Sequence, residues 1–139
     1  MEAWHEVIAN LPYPEKISVP RRILERLSKA GEVEEAGLLF GETRGREALV
    51  EEAVPLAWGV GYFRIDPAEW MKSILDAKER GRDYIGIYHT HSGGQPRPSP
   101  LDVRYMMECP GEIWIIYAEG RAAAWVWSNG VRRVELEVV

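Results

Sequence analysis

Among 139 residues there is one cysteine, Cys109, so no disulfide can close within the chain and no paired-cysteine zinc site can form. Stability has to come from apolar burial, and a chain of this length with 46% apolar residues is large enough to supply it as one domain, residues 1–139. Amide side chains are nearly as scarce. Asn10, Gln95 and Asn129 are the only ones, a composition that suits work at high temperature because amides are thermolabile. No apolar run nears the ~18 residues of a membrane span, and residues 1–14 lack the basic start and apolar stretch of a secretory signal. A soluble cytoplasmic protein is expected. Excess positive charge is missing too: 17 basic residues are interleaved with 22 acidic ones, the net charge is −5, and no footprint for a nucleic-acid backbone results.

What the chain does have is an alternation of helical and extended patterns with no repeat, low-complexity tract or flexible linker between them. Residues 20–30 place Ile23, Leu24 and Leu27 on one helical face and stop at Gly31. Residues 36–40 (AGLLF) and 48–57 (ALVEEAVPLA) read as strands, the first of them buried. Asp66-Pro67-Ala68-Glu69 spells a capping box with proline at the first helical position. It predicts a helix over 67–80 that turns Trp70, Ile74 and Ala77 inward with Met71 and Leu75 beside them. Residues 83–89 (DYIGIYH) predict a central strand, 92–100 (SGGQPRPSP) a loop, and 100–108 a short helix broken by Cys109-Pro110-Gly111. The remainder predicts three strands, 113–118, 122–127 and 131–139, with Asn129-Gly130 as a hairpin turn. The expected fold class is mixed α/β, a curved mixed sheet flanked by helices. The tryptophans and tyrosines lie mostly in apolar runs and read as core and groove filler.

Two of the three histidines, His89 and His91, are two residues apart at the predicted end of the central strand. Alternate residues of an extended backbone share a face, so both imidazoles can address one ion. Asp102, at the start of the next helix, can return a carboxylate to the same strand end. Two imidazoles and a carboxylate are a recurrent catalytic zinc set that leaves the fourth position to water. Amide hydrolysis at such a site also needs a proton acceptor, a task suited to a further carboxylate. Taken alone, Ser99-Pro100-Leu101-Asp102 is a helix-capping sequence; a capping serine next to a metal ligand can serve both purposes.

Glu34-Glu35-Ala36-Gly37-Leu38-Leu39-Phe40-Gly41, then Gly86-Ile87-Tyr88-His89-Thr90-His91, then Ser99 and Asp102, closely resembles the JAMM (MPN-type) metalloproteases. Their pattern is a glutamate three residues before Gly-Leu-Leu, then His-Ser/Thr-His, seven residues, serine, two residues, aspartate. The resemblance runs from about residue 17 to 139 and leaves the first 15 residues as an extension without an assigned role. It implies the JAMM/cytidine-deaminase-like architecture, one Zn2+ held by His89, His91 and Asp102, Glu34 as general base and acid, and Ser99 as a donor to the developing oxyanion. Glu35 adjoins Glu34, and the spacing to Gly37 selects Glu34. The implied reaction is hydrolysis of the amide after the C-terminal Gly-Gly of a ubiquitin-like or sulfur-carrier protein.

Two departures stand out. Family members commonly carry proline after the second histidine, where this chain has Ser92-Gly93-Gly94, and the long insertion of linkage-selective relatives is absent between Asp102 and Ile113. The chain resembles the minimal prokaryotic form. Trp58, Tyr62 and Phe63, around Gly59 and Gly61, read either as a flap that pairs with an extended substrate tail or as an ordinary apolar turn. Two other readings remain beside hydrolysis: a catalytically silent MPN-type scaffold, which usually lacks ligands retained here, and a mononuclear iron oxygenase, against which Glu34 argues.

Overall fold

The computed structural model of the protein describes residues 13–31, 33–59 and 64–139. Among these residues, seven strands and three α-helices follow one another as β1 (Lys16–Val19), α1 (Arg21–Leu27), β2 (Glu34–Arg44), β3 (Glu47–Gly59), α2 (Pro67–Glu79), β4 (Asp83–Thr90), α3 (Pro100–Glu108), β5 (Ile113–Ala118), β6 (Arg121–Trp127) and β7 (Val131–Val138). The order in the sheet is β1-β3-β2-β4-β5-β6-β7, and β1 also pairs with β7, so the curvature expected of a mixed sheet carries it to a closed barrel. β4 and β5 are parallel at the centre; β2 is antiparallel to both β3 and β4.

Closure separates two cores. Inside lie Ile17, Leu39, Tyr88, Ile115 and Val134, capped by Ile23 and Leu27 of α1. Outside, Leu38, Phe40, Ile87, Trp114 and Ile116 are covered by Ala77 of α2 and Met106 of α3. The period of two in β2 and β4 thus feeds both layers at once, which is why these strands read as continuous apolar runs.

Most element limits match their sequence signals. Asp66 caps α2 by accepting the Ala68 N–H at 2.9 Å, with Pro67 at the first helical position. Asn129 and Gly130 both take positive φ, as a tight hairpin turn demands. Three expectations need correction. The helix expected over 20–30 is α-helical to Leu27 and finishes as a 3₁₀ turn, Ser28–Ala30. β2 extends beyond the apolar run at both ends, to Glu34 and Arg44, because ladder pairing with β3 continues after the hydrophobic residues stop. Met71 and Leu75 do not join the inward stripe of α2: at ~100° per residue they lie round the helix from Trp70, Ile74 and Ala77, and they stay 57% and 54% exposed. Among the described aromatic residues, Trp58 departs from the core role at 60% exposure.

Candidate metal centre

The ladder pairs Ala36 of β2 with His89 of β4, so the two share a face; Glu34, two residues before Ala36, shares it as well. That is the outer face, and it is where α3 packs. The sequence delivers α3 through a glycine- and proline-rich loop and starts it with Ser99-Pro100, which sets Asp102 in the first turn. A complete capping box results: Ser99 Oγ accepts the Asp102 N–H at 3.1 Å, and Asp102 Oδ2 accepts the Ser99 N–H at 2.9 Å. His91 lies one residue past the end of β4 and remains extended because its N–H donates to the Tyr117 carbonyl of β5 at 2.7 Å.

These elements converge on one cleft of about 160 Å³ lined by Glu34, His89, His91, Gly93, Ser99, Leu101 and Asp102. Asp102 Oδ1 is 2.9 Å from His89 Nδ1, and Oδ2 is 3.0 Å from His91 Nε2. The His89 and His91 rings meet edge to face with centroids 4.8 Å apart. Glu34 Oε1 lies 3.1 Å from His89 Nε2, while Glu34 Oε2 accepts the Ser92 N–H at 3.2 Å and the Ser92 hydroxyl at 3.3 Å. Glu34, His89 and Asp102 are all buried. Burial alone would push the Asp102 carboxyl up; hydrogen bonds from His89 and His91, with the Ser99 amide, outweigh it and hold the group well below the usual carboxylate range. His91 is correspondingly raised by its hydrogen bond to Asp102.

The donor set fits a divalent ion. One atom each from His89, His91 and Asp102 lies within 4.8 Å of the others. A tetrahedral ion with arms of about 2.0–2.2 Å holds neighbouring donors roughly 3.3–3.6 Å apart, so small rotations of these side chains suffice. Two borderline imidazole nitrogens and one hard carboxylate oxygen form a donor set that zinc accepts, and a second buried carboxylate stands at the same cleft.

The structure therefore brings together Glu34, His89, His91, Ser99 and Asp102, the five positions that the motif spacing singles out. Trp58 is not among them: its ladder partner is Glu35, so it sits on the rim of the other sheet face and does not line the cleft. Tyr62 and Phe63 lie outside the described residues. Ser92 is the contact that sequence reasoning missed. The signal was available, since the position usually held by proline, which has no N–H, here carries a residue with two donors.

A closed mixed sheet with a His-His-Asp cluster and a buried glutamate beside it defines a metal-dependent hydrolase. Comparison with known proteins agrees. The family of prokaryotic homologs of the JAB domain matches residues 16–128, and the chain belongs to it as a JAMM-type metallohydrolase. A desampylase of Pyrococcus furiosus is 32% identical over 120 residues, which cover 86% of this chain and 84% of the relative. A desampylase of Haloferax volcanii is 38% identical over 69 residues, 48% of each chain. The solution structure of a protein from Desulfitobacterium hafniense matches with a TM-score of 0.76 at 24% identity, covering 88% of this chain and 92% of that one, a likeness of fold. Among the described residues no helix is long and apolar enough to cross a membrane.

Proposed function

We propose that the chain is a zinc-dependent isopeptidase that hydrolyses the amide bond after the C-terminal Gly-Gly of a ubiquitin-like or sulfur-carrier protein. The observation that carries this reading is the Glu34 carboxylate, buried and 3.1 Å from His89 at the edge of the His89, His91 and Asp102 cluster. The desampylase name of both relatives supports the substrate class.

His89, His91 and Asp102 would hold the zinc. When bound, it would supply Lewis-acid chemistry, lowering the pKa of the attacking water from ~15.7 towards ~7. Glu34 takes the proton from the attacking water and passes it to the leaving amine; the Ser92 N–H and hydroxyl fix the second oxygen of its carboxylate while it does so. Ser99 Oγ already accepts the Asp102 N–H, so its own proton is left to donate to the developing oxyanion. For the extended tail the fold offers the edge of β3. β1 pairs only residues 47–49, so among the described residues 50–59 have a strand neighbour, β2, on one side alone. A peptide added there gains main-chain hydrogen bonds and passes Trp58.

The test is incubation of the zinc-loaded protein with a Gly-Gly-ended ubiquitin-like protein fused through its C-terminus to a fluorescent reporter. Cleavage after the second glycine, abolished by chelator and restored by zinc, is the expected result. An intact fusion, or cleavage indifferent to chelator, removes the proposal.

A further inference from the structure

Glu35 is a buried carboxylate that the reaction does not use. It follows Glu34 in β2 and so points to the opposite, inner face, where Arg26 Nη1 of α1 donates to its Oε2 at 2.7 Å and the buried Tyr88 hydroxyl donates to the same oxygen. Tyr88 reaches Glu35 by crossing Gly37: a Cβ on that glycine would stand 2.7 Å from Tyr88 Cε1 and 2.8 Å from its hydroxyl.

The main-chain ladder between β2 and β4 ends at the pair Ala36 and His89. One residue nearer the cleft, a side chain takes over: Thr90 Oγ1 accepts the Glu35 N–H at 2.8 Å and is 3.4 Å from the Glu35 carbonyl as donor. Tyr88 and Thr90 flank His89 in β4, and Glu35 adjoins Glu34 in β2. Among the described residues, hydrogen bonds from Tyr88 and Thr90 to Glu35 thus tie the base-bearing end of β2 to the histidine-bearing end of β4 on the inner face.

We infer that Glu35, gripped by Arg26, Tyr88 and Thr90, is a positioning residue that fixes the Glu34 carboxylate against His89 through the sheet. This rests on the proposed role of Glu34 as proton carrier. Groups of this kind act on turnover, because an error of about 1 Å in the base costs far more in the transition state than in substrate binding.

The test uses zinc-loaded protein, the fluorescent fusion described above, and steady-state kinetics. Thr90→Val and Tyr88→Phe each lower kcat about 10- to 100-fold, with KM within about twofold and zinc content unchanged. Thr90→Ser returns kcat to within about threefold of wild type. Placed in a Glu34→Gln background, neither substitution lowers turnover further, because the group it positions is already gone. Independently of activity, the Glu35 amide in Thr90→Val exchanges with solvent at least ~10-fold faster by NMR. Wild-type kcat in both variants, a full additional loss in the Glu34→Gln background, or an unchanged Glu35 amide overturns the inference. If Glu34→Gln itself turns over like wild type, the functional reading fails instead, and the two failures are told apart.

Discussion

Ser99 and Asp102 exchange hydrogen bonds in both directions, 3.1 Å from amide to hydroxyl and 2.9 Å from amide to carboxylate, so the start of α3 and the orientation of the third proposed ligand are one structure. Ser99→Ala removes the cap together with the proposed oxyanion donor. The expected outcome is a loss of about 1 kcal/mol in stability and a fall of roughly 10²- to 10³-fold in kcat. Urea unfolding and steady-state kinetics on the same sample separate the two. A kcat loss no larger than that of another α3 destabilising variant would leave Ser99 with the capping role alone.

Carboxylate and ligand substitutions should divide cleanly. Glu34→Gln keeps the shape and the Ser92 contacts, so zinc content should stay at that of wild type while turnover falls roughly 10²- to 10⁴-fold. His89→Ala, and Asp102→Asn, which preserves the capping acceptor and loses the charge, should come off a desalting column without stoichiometric metal. Elemental analysis decides. Retained zinc in both ligand variants contradicts the assigned set.

Trp58 is exposed beside the one-sided edge of β3, so its truncation should cost little stability. If the substrate tail runs along that edge, Trp58→Ala raises KM about tenfold at constant kcat, the signature of lost uniform binding. An unaltered KM places the tail elsewhere.

Glu112, which accepts a hydrogen bond from the Tyr84 hydroxyl, is pushed by burial up to about 7 from an ordinary value of 4.5. Below pH 4.5 both folded and unfolded chains are protonated there. Between pH 4.5 and 7 the unfolded chain ionises first, so the folded chain holds the extra proton and stability falls as pH rises, levelling above 7. Relative to wild type, Glu112→Gln should gain on the order of 3 kcal/mol at pH 8 and almost nothing at pH 4. Parallel unfolding curves for the two proteins across that range would exclude a shifted Glu112.

The cluster was legible because ligand chemistry demands particular residue types at fixed spacing: His89 and His91 two apart on a strand, Asp102 held by a capping sequence that is itself a strong local signal. Element types were legible for the same reason, as in the Asn129-Gly130 hairpin. What stayed hidden depends on partners far along the chain. Nothing local announces that β1 closes the sheet against β7, or that β2 begins at Glu34, since that end is paired by Gly59 and its first two residues are both charged. The inward stripe of α2 was overdrawn at Met71 and Leu75 because apolar character was read as burial, whereas apolar side chains are common at surfaces. Arg26 gave no sign at all, as its role exists only through Glu35 and Tyr88.

Two consecutive glutamates with opposite destinations make strand pairing itself carry chemical information. Shifting β2 by one position against β4 would send Glu35 into the cleft and strand Glu34 beside Tyr88, and it would drive the Tyr88 ring into a Cβ instead of across Gly37. Misaligned forms are thus penalised on both layers simultaneously, and a chain that has closed its barrel has, by the same event, sorted which of its twin acids meets the solvent-filled cleft.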